Sequence, residues 1–213
     1  MPQSVDNSLL IFVRNPQKGQ VKTRLARTLG EEVAYNIYLQ LLAHTRQVAL
    51  AVEANRLVFY SHFIDSNDQW TFPDFEKHLQ AGDPDLGARM EAAFQLALTH
   101  HDKAVIIGSD CIQLSPAILE SAFAALDVFP YVLGPAFDGG YYLLGMRKPT
   151  PFLFSDMTWS TSSVATETLR RIDALGASTF VLPTLSDIDE AEDWEKYGQG
   201  NWMFDAGCLM LDV

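Results

Sequence analysis

Long apolar runs are missing from this 213-residue chain: no stretch approaches the roughly 20 consecutive apolar residues needed to cross a bilayer. The first residues, Met1-Pro-Gln-Ser-Val-Asp-Asn-Ser8, lack the basic region and apolar core of a signal peptide. A cytoplasmic protein without membrane insertion is therefore expected. Positive charge is scarce, with 15 Lys and Arg against 27 Asp and Glu and a net charge of -12. Such a balance argues against nonspecific nucleic-acid or anionic-membrane binding, which depends on a surplus of cations. The only two cysteines, Cys111 and Cys208, are too few and too far apart for a zinc or disulfide framework. No internal repeat or linker interrupts the chain, and its 48% hydrophobic and 20% charged residues are those of an ordinary globular domain.

What positive charge exists is concentrated. Five of the fifteen basic residues, Arg14, Lys18, Lys22, Arg24 and Arg27, fall within fourteen positions, with no acidic residue among them until Glu31. An acidic protein that gathers cations in one loop is expected to bind a small anion there. The stretch begins with an apolar strand, Ser8 to Arg14, passes through the loop Asn15-Pro-Gln-Lys-Gly-Gln20, and enters a helix near Val21-Lys-Thr-Arg24. Strand, Gly-containing basic loop and helix start make a phosphate cradle of backbone N–H groups and basic side chains. It is not a P-loop, because the Gly-Lys-Ser/Thr ending is absent.

A second strand is read at Ala104-Val-Ile-Ile107, apolar throughout and so buried on both faces of a parallel sheet. It stops at Gly108-Ser-Asp110, which puts Asp110 just past the carboxyl end, the edge where open α/β sheets bind ligands. A carboxylate there suits a hard divalent cation. It equally suits capping of the helix that begins near Ser115-Pro116.

The remaining chain adds loops to the same edge. A long helix is predicted from Glu31 to about Glu53, with Val33, Ile37 and Leu41 on one face, followed by a strand at Arg56–Ser61. Gln80-Ala-Gly82 to Gly87 reads as a second Gly-containing loop, and Arg89 lies in the first turn of the next helix, where a cation is unfavourable unless an anion is near. Asp138-Gly139-Gly140 separates two apolar runs, which signals a hairpin, while a double Gly also lets backbone pass close to a ligand. The hydroxyls of Trp159-Ser-Thr-Ser-Ser163 read as a cap for the helix that follows. Asp187-Ile-Asp189 falls just after a last strand at Thr179–Leu182.

Several of these blocks resemble the bacterial DUF2064 family, grouped with glycosyltransferase-A-type, or nucleotide-diphospho-sugar transferase, folds, and more distantly the 2-phospholactate guanylyltransferases and molybdenum-cofactor nucleotidyltransferases. The matching residues are Lys22-Thr-Arg-Leu25, Gly82-Asp83 with Asp85-Leu-Gly87 and Arg89-Met90, Gly108-Ser-Asp-Cys111, Gly134 to Gly145, Trp159-Ser-Thr161, and Asp187-Ile-Asp189 with Asp193-Trp194. The resemblance implies a three-layer α/β/α fold on a mostly parallel mixed sheet. It implies a single domain over 1–197, with a nucleotide-binding half at 8–130 and an acceptor-binding half at 131–197, then a tail at 198–213.

It also implies roles. Asp110, with Asp189 or Asp187, would hold Mg²⁺ or Mn²⁺. Arg14, Lys18, Lys22, Thr23, Arg24, Gly82, Gly87 and Arg89 would bind nucleotide or phosphate. Asp138, Gly139, Gly140 and Tyr141 would meet a small-molecule acceptor. Asp110, Lys22 and Asp138 would carry the reaction, expected to be nucleotidyl transfer from a nucleoside triphosphate, with transfer from a nucleotide sugar and non-catalytic nucleotide binding as alternatives. Cys111 is commonly followed by Pro in the family and here by Ile112, and a single Asp replaces the Asp-x-Asp of many glycosyltransferases.

Overall fold

The computed structural model describes residues 6–198, so Cys208 and all but the first residue of the tail at 198–213 lie outside the described residues. Four strands, β1 (Asn7–Val13), β2 (Asn55–Tyr60), β3 (Glu76–Leu79) and β4 (Lys103–Ile107), run parallel to one another. The next two, β5 (Tyr131–Pro135) and β6 (Tyr141–Met146), form an antiparallel hairpin, and β7 (Thr179–Val181) adds to β5 in parallel. Because β6 also pairs with β4, the order across the single sheet is β3-β2-β1-β4-β6-β5-β7.

Alternation along each strand divides the apolar residues between two faces. Leu9, Ile11, Val58, Val105 and Ile107 pack with Tyr38 and Leu42 of α2 (Glu31–Leu50) and Leu119 and Phe123 of α4 (Pro116–Ala125). Leu10, Leu57, Phe59, Ala104 and Ile106 pack with Met90 and Phe94 of α3 (Leu86–Leu98) and Ile172 of α5 (Val164–Ala174). The result is three layers, as the resemblance implies. A third cluster joins Leu25 of α1 (Thr23–Leu29) to Ala34, Ile37 and Leu41 of α2 and to Ile112 and Ile188.

Some local expectations give way to this packing. Val33 is exposed, because the buried stripe of α2 starts one residue later at Ala34, where the loops carrying Ile112 and Ile188 meet it. The helix stops at Leu50 rather than near Glu53. Glu76-Lys-His-Leu79 forms an unanticipated edge strand, since none of its residues is fully buried and no apolar pattern marks it. Gly87 belongs to α3, whose N-cap is Asp85, the carboxylate accepting the Ala88 N–H at 2.9 Å. Ser163 is the N-cap of α5 but makes no side-chain cap bond, and Thr161 Oγ1 instead donates to the Thr158 carbonyl at 2.9 Å. Asp110 does not cap α4 either, because Ser115 holds that position.

Tyr38 ties α2 to the carboxyl-terminal edge of the sheet. Its hydroxyl donates to the Arg14 carbonyl at 2.9 Å and accepts the Arg14 N–H at 3.0 Å, so one oxygen satisfies both backbone groups where β1 ends. Burial pushes its pKa up to about 12, and the nearby Asp110 charge adds to the rise. Tyr38→Phe is expected to cost about 1–2 kcal/mol by leaving those groups unpaired, which lowers Tm by roughly 2–8 °C. An unchanged melting curve would remove Tyr38 from this role.

Candidate active site

The first loop rises from β1 and closes on itself before α1 can start. Lys22, the residue before α1, takes a left-handed conformation with φ of 48°, strained for a non-glycine residue and of the kind that gathers at functional sites. This turn carries the side chain inward. The Lys22 side chain is 6% exposed, and its ammonium lies 2.8 Å from Asp110 Oδ1 and 3.2 Å from Asp189 Oδ1. Burial alone would depress its pKa, but the two carboxylates outweigh burial and hold it above the ordinary lysine value. Asp110 stands where the sequence places it, beyond the end of β4.

The late acidic loop reaches this point through backbone pairing. Leu185 accepts from Phe137 and donates to Pro135 beside the hairpin, and the Ile188 N–H donates to the Asp110 carbonyl at 2.9 Å. Asp193 and Glu190 are occupied in a capping box around α6 (Ala191–Asp193). Their acidity is local helix charge, which leaves Asp187 and Asp189 for the site.

Around the Lys22 cluster opens a cleft of about 1090 Å³. Arg14, Thr23, Arg24 and Arg89 line it together with Lys22, Asp110, Asp138 and Asp189. Arg24 is exposed, its guanidinium 3.9 Å from Asp189 Oδ2. Arg89 is held against the wall by Gln80, whose side-chain oxygen accepts from Nη1 at 2.7 Å. A side chamber of about 330 Å³ shares Phe12, Gly108, Asp110, Asp138 and Trp159 with the main cleft and adds Gly140, Tyr141 and Asp187.

Three glycine expectations and one lysine expectation resolve differently. Lys18 pairs with Glu32 on the outer surface and does not line the cleft, because the opening of α2 supplies it a partner fourteen residues away. Gly82 sits on an exposed loop and also does not line it. A Cβ on Gly87 would stand 2.7 Å from Trp159 Cζ2, so this glycine lets α3 pack against Trp159. Gly139, with φ of 89°, passes so near the Ser162 backbone that a Cβ would fall 2.0 Å from its carbonyl oxygen. It docks the hairpin turn onto the loop before α5.

That loop supplies Ser160, Thr161 and Ser162 to the cleft, where the sequence pattern suggested only a helix cap. Ser109, Ser61 and Gln80 also line it. Ser109 and Gln80 fall in loops that the sequence pattern picked out without assigning them a role, and Ser61 closes a strand with no such mark. Trp159 keeps its indole N–H buried without a partner among the described residues. Cys111 is buried, which pushes its thiol up to about 12 and makes it inert as a nucleophile at neutral pH.

Asp110 and Asp189 form an all-oxygen donor pair that already converges on one positive charge, the Lys22 ammonium, and this chemistry fits a hard divalent ion. Among the described residues no three acidic, His or Cys groups make a ready cage. Further ligands for Mg²⁺ or Mn²⁺ would come from water and phosphate oxygens, the usual arrangement for Mg²⁺.

A family model described as an uncharacterized protein conserved in bacteria, DUF2064, matches residues 42–161. Among solved structures, a candidate nucleotide-diphospho-sugar transferase from Desulfovibrio desulfuricans G20 is 29% identical over 93% of this chain and 90% of that one, with a TM-score of 0.84. CMP:2-keto-3-deoxy-manno-octonic acid synthetase complexed with CTP is 12% identical over 90% of this chain and 96% of that one, with a TM-score of 0.55. Rv0371c from Mycobacterium tuberculosis in complex with manganese is 11% identical over 90% and 97%, with a TM-score of 0.56. These last two share the fold. No curated protein matches the sequence.

Asp187 gives a pH test of the site's electrostatics. Burial first, then the negative charge of Asp110, raises its pKa to about 7. A carboxyl whose folded pKa is raised holds its proton more tightly when folded, so ionisation costs stability as pH climbs from about 4 and in full above about 7. Without divalent metal, Asp187→Asn is expected to raise Tm by roughly 2–6 °C at pH 8, with the gain shrinking toward pH 5. Equal melting temperatures at pH 8 would contradict this charge balance.

Proposed function

The chain belongs to the DUF2064 family, and on that premise we propose that it is a divalent-metal-dependent transferase that moves a nucleotidyl group from a nucleoside triphosphate to a phosphorylated small-molecule acceptor, releasing pyrophosphate. The observation that carries this reading is the buried Lys22 ammonium bracketed by Asp110 and Asp189 in a cleft whose walls add Arg14, Arg24 and Arg89. In a protein of net charge -12, a cleft in which four cations balance the four carboxylates of Asp85, Asp110, Asp138 and Asp189 is a local enrichment of positive charge. It suits a polyphosphate.

In this reaction an oxygen of the acceptor phosphate attacks the α-phosphorus. The bond from α-phosphorus to the bridging oxygen breaks, and its electron pair leaves on pyrophosphate. The acceptor phosphate is already ionised, so no strong general base is required. Lys22 and Arg24 offer positive charge to the oxygens on which charge accumulates, and Arg14 and Arg89 hold the polyphosphate in register. A bound Mg²⁺ or Mn²⁺, held by Asp110 and Asp189, would neutralise phosphate charge and align the reacting oxygens. Thr23 and the loop hydroxyls of Ser160 to Ser162 add neutral hydrogen bonds.

A second reading is favoured by the placement of Asp138. This carboxylate lines both chambers and accepts the Gly140 N–H at 2.8 Å. In transfer from a nucleotide sugar it would orient and deprotonate an acceptor hydroxyl. The solved relative described as a candidate nucleotide-diphospho-sugar transferase also supports that class.

A thermal-shift panel with Mg²⁺ or Mn²⁺, the four nucleoside triphosphates, their diphosphates and common nucleotide sugars separates the readings. With one triphosphate at a hundred times its Kd, stabilisation of about 2.7 kcal/mol is expected, a rise of roughly 5–10 °C, and Asp110→Ala should abolish it. In a pyrophosphate-release assay, Lys22→Ala is expected to lower kcat by about 10²–10³-fold, with Arg24→Ala milder because that side chain is exposed. Undiminished turnover in Lys22→Ala would overturn nucleotidyl transfer as drawn. A shift only with a nucleotide sugar or its diphosphate would select the second reading.

A further inference from the structure

The two chambers differ sharply in charge. The main cleft is lined by four Lys and Arg side chains, whereas no Lys, Arg or His is among the described residues lining the side chamber. The acidic side chains in its wall are the carboxyls of Asp110, Asp138 and Asp187. The rest of its wall is mainly apolar, from Phe12, Met90, Ile106, Tyr141, Trp159 and Val164. Both tyrosine hydroxyls already have partners, Tyr141 in Met90 Sδ of the same wall at 3.8 Å and Tyr142 in the Pro183 carbonyl at 3.0 Å.

We propose that this side chamber holds the body of the acceptor, and that this body is uncharged and largely apolar, an aromatic or alicyclic scaffold rather than a second anion. The proposal rests on the main cleft being the nucleotide site. An anionic group placed here would be stripped of water beside three carboxyls, and the nearest ammonium, that of Lys22, is already paired with Asp110 at 2.8 Å. A neutral apolar body instead gains by leaving water. The reacting oxygen, whether of a phosphate or of a hydroxyl, then lies at the boundary of the chambers, where Gly108, Asp110 and Asp138 belong to both walls. Any phosphate the acceptor carries stays on the cationic side. About 330 Å³ gives room for a body on the order of ten non-hydrogen atoms, at roughly the 30 Å³ that a water molecule occupies in the liquid.

The test uses the full chain with Mg²⁺ and two probes that share a hydroxymethyl-bearing ring and differ by one added carboxylate, benzyl alcohol and 4-(hydroxymethyl)benzoate, titrated by ligand-observed NMR. Benzyl alcohol is expected to bind at least tenfold more tightly than the carboxylated probe. Thr161 is exposed and lines both chambers, so Thr161→Arg places a cation at the chamber wall without burying it and is expected to shrink or invert that ratio. Circular dichroism of the variant checks that it is folded. Equal affinities, a preference for the carboxylate in the wild type, no binding of either probe, or an unchanged ratio in the folded variant would each overturn the proposal. Nucleoside triphosphate binding, measured on the same sample, tests the underlying reading separately. If the triphosphates bind while the carboxylate is preferred, only the acceptor inference fails; if the alcohol is preferred while no triphosphate binds, only the nucleotide reading fails.

Discussion

A buried ammonium needs partners, and the structure of this cleft follows from how Lys22 obtains them. Its side chain is nearly sealed from solvent, a position that would be untenable without the carboxylates of Asp110 and Asp189. To bring the three together, the first loop takes a left-handed turn at Lys22, β4 ends early enough to leave Asp110 free, and the chain returns after β7 to lay Ile188 against the Asp110 backbone. The cost of the left-handed turn, about 1–3 kcal/mol for a non-glycine residue, is one that only a well-packed surrounding can sustain. Here Leu25, Ile112 and Ile188, one from each of the three segments, lie fully buried in one apolar cluster beneath the ions.

The antiparallel β6 shapes the other wall. A purely parallel sheet would deliver only strand ends to this edge. By inserting β6 between β4 and β5, the chain brings a hairpin turn there, so Asp138 faces the same space as Asp110. Gly139 then permits a backbone approach to Ser162 that no other residue allows, and the Ala165 N–H donates to the Gly139 carbonyl at 2.9 Å. The hydroxyl loop is thereby fixed as the far bank of the cleft.

Much of this was legible from residue order. Apolar runs ending in Gly-Ser-Asp or entering a basic Gly-containing loop are local patterns, and they located Asp110, Lys22 and the hairpin. Clusters of like residues were harder to assign. Lys18 belonged to the same basic run as Lys22, yet Glu32 holds it on the outer surface, because direction depends on the backbone turn between the two. Gly87 shared a motif with Gly82 but serves helix packing against a tryptophan more than seventy positions later. Ser61, Gln80 and Ser109 follow β2, β3 and β4 and reach the cleft only because the sheet order sets these strands on either side of β1 with their ends on one edge. Edge strand β3 carries no apolar alternation, since one side of it meets water.

Lys22 and Asp189 touch across a sequence separation of 167 residues, and this spacing bears on how the protein comes into being. Contacts of such range close late, after the local helices and the β1–β2 pair have formed, because chain entropy opposes them until most other structure is in place. During synthesis the basic loop emerges long before its acidic counterpart. Until the last strand and the loop after it have left the ribosome, the Lys22 ammonium has at most one of its two carboxylates. The cleft is therefore a late product of folding, and a chain cut short before Asp189 would retain its first four strands without a completed ion cluster.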